Sequence, residues 1–311
     1  MDESAVRHAI GRRAFLRSAF AVTAGPVATS LSYTCSPASS RGGRPVRFGV
    51  VTDCHCADVD PAGTRFYRQS LGKLAECVDR MNAEKVDFLI ELGDFKDQGR
   101  PPVERDTLAY LQDAEAVLRR FDGPTYHVLG NHDTDSISKA QFLACVTNTG
   151  VDRDRSYYSF DIKGLHCIVL DANYRSDGVD YDHGNFDWTD ANVPGHELDW
   201  LRKDLAVAPG PAVILIHQLL DGTDSVSVRN AQQVRAILEE SGKVQVVFQG
   251  HHHEGRYNRI EGIHYYTLRA VVEGQGADSN SYAIVEVADS LPVRIFGYRR
   301  AVSATLFVVT P

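Results

Sequence analysis

The sequence lacks an excess of positive charge and a long uninterrupted apolar run. Its 33 lysines and arginines are outnumbered by 41 aspartates and glutamates, and the acidic residues are scattered. A nucleic-acid-binding surface normally carries a basic patch, so no nucleic-acid polymer is expected as a partner. The N-terminal apolar stretch is interrupted by Arg17 and Pro26 and is too short for a membrane span of roughly 20 residues. No stable transmembrane span is therefore expected.

Cysteine is also scarce, with six residues in 311 and no ladder-like spacing. This pattern gives no sign of a disulfide framework. Cys54 and Cys56 have the spacing of a C-x-C zinc motif, but no second thiol pair exists to complete a four-sulfur site. The favoured interpretation is that both are packing residues.

The N-terminal segment 1–35 resembles a twin-arginine export signal, because Arg12 and Arg13 precede Phe15, Leu16 and an alanine-rich run. The alternative is a basic, frayed N-terminus of a cytosolic protein. A signal predicts recognition by the twin-arginine export machinery and a periplasmic or extracellular location. Cys35 makes a lipoprotein anchor conceivable, although "LSYTC" matches a lipobox poorly. Residues 36–45 are predicted to form a polar linker, and residues 46–311 one folded domain.

From Val46 onward the pattern is strand, helix, strand, helix, strand, which predicts parallel strands with crossover helices. "YYSFDIKGLHCIVLD" predicts two antiparallel strands around Lys163-Gly164, and the C-terminal part is rich in strands. The expected fold is an α/β sandwich with mixed sheets in one continuous core.

Polar residues follow five of the predicted buried strands. Because ligands of α/β sheets bind where the carboxyl ends of strands emerge, these residues are expected to meet in one crevice. In an extended segment alternate side chains share a face, so His251 and His253 are expected to point the same way. The residues in chain order are Asp53 and His55, Asp94, Asn131 with His132 and Asp133, His217, and His251 and His253.

These residues spell D-x-H, G-D, G-N-H-D, H and G-H-x-H, and in this pattern the sequence resembles the calcineurin-like metallophosphoesterases over roughly residues 46–287. The resemblance implies a four-layer α/β/β/α fold with two metal ions. It implies that one metal is bound by Asp53, His55, Asp94 and His253. It implies that the other is bound by Asp94, Asn131, His217 and His251, so that Asp94 bridges the two.

Two divalent ions clamp the attacking and leaving oxygens of an in-line displacement and lower the pKa of bound water, so that hydroxide is the expected nucleophile. His132 is expected to protonate the leaving oxygen, with Asp133 orienting its ring. The oxygen and imidazole donors suit Mn, Fe or Zn without choosing among them.

The segment "FGVVTDCHCADVDPAGTRFYRQSLGKL" is similar to the manganese-dependent ADP-ribose/CDP-alcohol diphosphatases, which hydrolyse the pyrophosphate link of small nucleotides. That family has Gln where this chain has His55. The histidine agrees with the wider superfamily, including the class III cyclic-nucleotide phosphodiesterases. A small phosphorylated, nucleotide-like substrate is therefore expected, with its phosphodiester or pyrophosphate bond as the point of attack.

Arg65 and Arg68 could grip a substrate phosphate, or they could form the polar face of the first helix. In the long loop 173–195, Tyr181, Phe186 and Trp188 could stack a nucleobase or pack among themselves. Two other functions remain open from the sequence: a broad phosphomonoesterase of alkaline-phosphatase type, and a catalytically silent binding scaffold of the same fold.

Overall fold

Two six-stranded mixed sheets form the framework of the described chain. The first sheet contains the first three and the last three strands in chain order. In the computed structural model, which describes residues 44–288 and 292–307, β1 runs parallel to β2 and antiparallel to β10. The order across this sheet is β12-β11-β10-β1-β2-β3. Its strands are β1 (Val46–Val51), β2 (Phe88–Glu91), β3 (Thr125–His127), β10 (Ser281–Val287), β11 (Val293–Arg299) and β12 (Ala304–Leu306).

The second sheet has the order β4-β5-β6-β7-β9-β8. The four central strands, β5, β6, β7 and β9, are parallel to one another. The edge strands β4 and β8 are antiparallel to their neighbours. Its strands are β4 (Tyr158–Ile162), β5 (Leu165–Val169), β6 (Ala212–Leu215), β7 (Val244–Gln249), β8 (Arg256–Ile260) and β9 (Ile263–Thr267). The predicted antiparallel pair around Lys163-Gly164 is confirmed as β4 and β5.

Helices cover the outer face of each sheet. The helices are α1 (Ser70–Glu84), α2 (Glu104–Leu118), α3 (Lys139–Cys145), α4 (Gly195–Val207) and α5 (Ala231–Ser241). In α1 the buried residues Leu74, Cys77, Val78 and Met81 recur at the spacing that places them on one face of a helix. They pack with α2 and α3 against the first sheet, whereas α4 and α5 pack against the second.

The inner faces of the two sheets pack against each other. Phe48 of β1 stacks on Phe88 of β2 with ring centroids 4.7 Å apart, and Phe248 of β7 meets Phe48 edge-on at 5.7 Å. Each fully buried phenylalanine contributes about 1.5–3 kcal/mol relative to an exposed one. The layers are therefore helices, sheet, sheet, helices, and the predicted four-layer α/β/β/α fold is confirmed. Its apolar interior is divided by the sheets into several clusters, where the sequence suggested one continuous core.

Two elements were not anticipated. Strand β8 has the sequence "RYNRI", whose polar side chains are half-buried or exposed because it lies at a sheet edge. Helix α3 is short, and it begins with a capping box in which the Ser138 hydroxyl accepts from the Gln141 N–H.

The predicted signal segment 1–35, Cys35, and residues 36–43 of the predicted linker lie outside the described residues. Within the described ranges, no helix has both the length and the apolar character needed to cross a bilayer.

Candidate metal centre

The carboxyl ends of strands from both sheets meet at one edge of the sandwich and deliver the predicted ligands there. β1 is followed by Asp53 and His55, β2 by Asp94, and the segment after β3 by Asn131. β6 is followed by His217, and β7 by His251 and His253. We call these seven side chains the metal floor. Six of them, all except Asn131, form two clusters of facing ligand atoms, so these six converge as expected from the sequence.

The backbone at this edge is tightly folded. Asp53, His55, Asp94 and His251 have φ angles of 53°, 46°, 54° and 65°, a left-handed conformation that is uncommon for residues other than glycine. Such conformations cost of order 1–3 kcal/mol each and concentrate at functional sites. Gly130 permits the close approach, because a Cβ at this position would lie 2.3 Å from the Asp94 amide nitrogen.

The first cluster consists of Asp53, His55 and His253, whose ligand atoms lie within 4.8 Å of one another. Asp53 Oδ1 lies 3.3 Å from His253 Nε2. The other nitrogen of that ring, Nδ1, is 2.6 Å from Glu273 Oε1. A carboxylate at Nδ1 fixes the tautomer and leaves Nε2 free to bind a metal. His55 is held similarly, with Nδ1 at 3.2 Å from Asp97 Oδ2.

The second cluster consists of Asp94, His217 and His251. His217 Nδ1 donates to the Leu92 carbonyl at 2.8 Å, so its Nε2 is turned towards Asp94 Oδ2 at 3.2 Å. The same Asp94 oxygen lies 3.5 Å from His55 Nε2 in the first cluster. The Asp94 carboxylate therefore faces ligand atoms of both clusters.

Several buried polar atoms of the metal floor have no hydrogen-bond partner among the described residues. They are Asp53 Oδ1, Asn131 Oδ1, His217 Nε2 and His251 Nε2. A buried polar atom without a partner costs about 1–3 kcal/mol. Asp53 belongs to the first cluster, and His217 and His251 belong to the second. Metal ions would satisfy all of them at once, and the mixture of oxygen and imidazole donors suits first-row transition metals. The residues present therefore fit a two-metal site.

The buried carboxylates favour positive charge at this site. Burial alone would lower the pKa of His217, but the neighbouring Asp94 carboxylate outweighs it and raises the pKa to about 10. Burial and the nearby His217 together lower the pKa of His251 to about 3, so this imidazole is neutral, as a metal ligand must be.

His132 stands beside both clusters and lines the cleft above them. Its Nδ1 lies 3.3 Å from Asp135 Oδ2 and 3.6 Å from Asp97 Oδ1. Burial acts to lower the pKa of His132, but Asp94, Asp135 and Asp97 together hold it well above its usual value. These carboxylates therefore favour the protonated form of the imidazole.

The prediction that Asp133 orients the His132 ring differs from what is observed. The Asp133 carboxylate is fully buried and accepts backbone N–H groups of Asp94, Phe95 and Gly130 at 2.8–2.9 Å. It thereby ties the loop after β3 to the loop after β2. The orienting carboxylates are those of Asp135 and Asp97.

The two predicted arginines are placed differently. Arg65 lines the cleft, with Nε 3.9 Å from Glu273 Oε1. Arg68 is 51% exposed and pairs with Asp58 and Asp60 on the surface, where its guanidinium is not part of the cleft lining. The polar-surface interpretation therefore fits Arg68 and not Arg65.

The aromatic residues Tyr181, Phe186 and Trp188 of the loop 173–195 also differ in their positions. Tyr181 is buried and stacks on Phe186 with ring centroids 3.9 Å apart, which matches the alternative that the loop packs its own aromatics. Trp188 is 44% exposed, lines the cleft, and lies 5.7 Å from the His251 ring. Only Trp188 of the three is positioned to meet a ligand in the cleft.

Sequence reasoning missed the residues that hold the ligands in place. Glu273, Asp97 and Asp135 were not singled out, although "FKDQG" directly follows the Gly-Asp motif and "VVEG" follows a predicted strand. Cys54 and Cys56 are buried in the apolar cluster between the first sheet and its helices. This location agrees with the interpretation of both as packing residues.

The fold and the paired clusters define a metal-dependent phosphoesterase. The calcineurin-like phosphoesterase family model matches residues 46–255, and the chain belongs to this family. It is 28% identical over 270 residues to a manganese-dependent ADP-ribose/CDP-alcohol diphosphatase of Oryza sativa subsp. japonica, a match that covers 73% of this chain and 83% of the relative. It is 28% identical over 194 residues to a probable cyclic nucleotide phosphodiesterase of Rhodococcus erythropolis, covering 58% and 55%.

Among solved structures, a dimetal phosphatase from Danio rerio has the same fold. The TM-score is 0.73 at 21% sequence identity, over 85% of this chain and 100% of that one.

Proposed function

We propose that this phosphoesterase hydrolyses a phosphodiester or pyrophosphate bond of a small nucleotide-type substrate. In this proposal Asp53, His55, Asp94 and His253 hold one metal ion. The second is held by Asp94, Asn131, His217 and His251. The metals polarise the phosphoryl oxygens and supply an activated water when bound.

One observation carries the proposal: the Asp94 carboxylate faces both clusters, each of which contains a buried ligand atom without a hydrogen-bond partner among the described residues. Its Oδ2 is 3.2 Å from His217 Nε2 and 3.5 Å from His55 Nε2. A shared carboxylate lowers the mutual repulsion of two cations, and a two-metal site is suited to in-line displacement at phosphorus.

In the same proposal His132 is the proton donor for the leaving oxygen. Its ring faces the cleft with Nδ1 held by Asp135 and Asp97, so that Nε2 is directed away from these carboxylates. Its main-chain N–H donates to Asp94 Oδ1 at 2.8 Å. A change in the position of Asp94 would therefore be transmitted to His132.

The substrate class is supported by the size and walls of the cleft. The cavity above the metal floor has a volume of about 1000 Å³, which falls at the upper end of ordinary small-ligand sites. Trp188 offers a ring face on which a base can stack. A manganese-dependent diphosphatase and a probable cyclic nucleotide phosphodiesterase are among the relatives. Mn is therefore the first choice of metal, with Fe and Zn as the alternatives.

The experiment is a substrate profile of the metal-reconstituted protein. We expect ADP-ribose or cyclic AMP to be turned over with added Mn²⁺ at a kcat/KM well above that of p-nitrophenyl phosphate, and expect a chelator to remove the activity. A profile dominated by p-nitrophenyl phosphate would instead assign a phosphomonoesterase. Parallel reconstitution with Fe²⁺ and Zn²⁺, followed by elemental analysis, identifies the metal pair.

We also propose that the protein is exported by the twin-arginine machinery, on the basis of Arg12 and Arg13 with the apolar run that follows them. Replacing both arginines by lysine is expected to retain the protein in the cytoplasm. Fractionation that finds the double variant exported as efficiently as the parent would refute this, and a cytosolic parent protein would favour the alternative of a basic N-terminus.

A further inference from the structure

A third arginine, Arg300, lies on the cleft wall that the C-terminal part of the chain supplies. This C-terminal wall consists of Glu273, Gly274, Ser279 and Arg300, all outside the range matched by the family. Arg300 follows β11, and its main-chain N–H donates to the Asn280 carbonyl at 2.9 Å. Its own carbonyl accepts from Arg269 Nη1 at 3.2 Å. The backbone that carries the guanidinium is therefore fixed on both sides.

The Arg300 guanidinium has few hydrogen-bond partners among the described residues. Its Nη1 donates to the Glu273 carbonyl oxygen at 3.1 Å, and among the described residues no carboxylate forms an ion pair with it. The neighbouring Arg299 points elsewhere, with Nε 2.9 Å from Glu76 Oε1 and Nη1 3.0 Å from Asp278 Oδ1. Arg299 is thus neutralised by two carboxylates, whereas Arg300 lines the cleft and can donate further hydrogen bonds there.

Arg65 adds a second guanidinium to the same side of the cleft, near the Glu273 carboxylate. That carboxylate is already engaged by His253 Nδ1 and cannot neutralise two arginines. Glu254 also lines the cleft, but its side chain is exposed. Trp188 and Val226, which also line the cleft, are uncharged. Arg65 and Arg300 are the two arginines among the described lining residues, and both lie beside Glu273.

We infer that Arg300, together with Arg65, forms a subsite for a second anionic group of the substrate, next to the phosphate that lies over the metal floor. The matching ligand class is an ester of a diphosphate, with one phosphate at the floor and the other at the guanidinium groups. A planar guanidinium binds phosphate oxygens in a bidentate manner. A cyclic monophosphate has only one phosphate and leaves this subsite unused.

This inference rests on the proposed function, and its test compares two substrates that share the adenine base. ADP-ribose carries two phosphates and cyclic AMP carries one. In Arg300→Gln, which keeps a donor for the Glu273 carbonyl, we expect the ratio of kcat/KM for ADP-ribose to kcat/KM for cyclic AMP to fall by about 10- to 100-fold, the range for one hydrogen-bonded charge pair. Arg300→Lys keeps the charge without the planar fork and is expected to lose less of this ratio.

The matched control is Arg299→Gln, which removes the same charge from the adjacent residue and is expected to leave the ratio as it is. Melting temperatures show whether each variant is folded. An Arg300→Gln protein that is folded but has an unchanged ratio overturns the inference, as does one in which both substrates fall equally. If the parent protein hydrolyses neither substrate, the proposed function fails instead, before any variant is made.

Discussion

The metal floor and the C-terminal wall of the cleft are built in opposite ways. The floor is formed by side chains close to the carboxyl ends of buried strands, and the side chains of Asp53, His55 and His253 are 0–14% exposed. The wall comes from segments after β9 and after β11, and its arginine is half-buried with a side chain open to solvent. Within the wall, Glu273 contacts a floor ligand, whereas the Arg300 guanidinium donates to a main-chain carbonyl oxygen outside the floor. We therefore expect floor substitutions to remove activity and Arg300 substitutions to redistribute it among substrates.

The largest effect is expected for Asp94→Asn. Because Asp94 Oδ2 lies between His55 and His217, loss of its charge weakens both metal positions together. Metals supply several kcal/mol of transition-state stabilisation, so turnover should fall by at least about 10³-fold. Elemental analysis should find less than one metal per chain. Two full metals would refute the bridging role, and Asp58→Asn, an exposed acid, serves as the control.

His132→Ala should come next. Metal content is expected to stay at the parental level, because the side chain is not among the proposed ligands. Turnover of substrates with poor leaving groups should fall by about 10²–10⁴-fold, the range for general acid catalysis. Substrates with good leaving groups need no proton and should be affected much less. His183→Ala changes an exposed loop histidine and controls for the loss of an imidazole. Equal losses for both kinds of substrate would contradict the role of His132 as proton donor.

The metal floor could be predicted from the sequence because each ligand lies within four residues of the end of a strand. A short buried run such as "VILI" predicts a strand, and in a parallel sheet the residue after it, His217, must emerge at the common edge. Asp94 follows β2 of the first sheet, so the packing of the two sheets against each other is also needed to bring it near His217. The four layers followed from the same alternation of strands and helices together with the family resemblance.

The assignment of Asp133 failed for a local reason. His132–Thr134 form a 3-10 turn, in which side chains three residues apart lie one above the other. Asp135 therefore returns to the side of His132, while Asp133 points into the protein and accepts backbone N–H groups. Adjacency in sequence was a poor guide because the backbone conformation at this point was unknown.

The wall could not be predicted because it depends on long-range strand order. β10 pairs with β1, and this pairing brings β11 and the turn at Arg300 beside residues that follow β1. No local pattern in "GYRRAVS" indicates which of its two arginines faces the cleft. Glu273 likewise becomes a partner of His253 only because β9 lies parallel to β7.

Glu273→Gln tests the comparison between wall and floor directly, because this wall residue contacts the floor ligand His253. Its carboxylate lies 2.6 Å from His253 Nδ1, and loss of such a contact typically costs 10–100-fold in metal affinity. We expect that loss at one metal position only, measured by chelator competition on the metal-free protein. The control is Glu254→Gln, which changes an exposed glutamate that also lines the cleft. Equal weakening of both metals would contradict the separation of the clusters.

The smallest effect is expected for Trp188→Ala, which changes an uncharged residue of the cleft lining. The ring is 44% exposed, so we expect the low end of the 1–3 kcal/mol measured for base stacking, about a fivefold rise in KM for ADP-ribose with kcat nearly unchanged. Trp188→Phe should restore most of the affinity because it keeps a ring face. Tyr181→Ala should instead lower the melting temperature without raising KM, since Tyr181 is buried against Phe186. A KM for p-nitrophenyl phosphate that rises as much as the KM for ADP-ribose would show that Trp188 shapes the metal floor and does not contact a base.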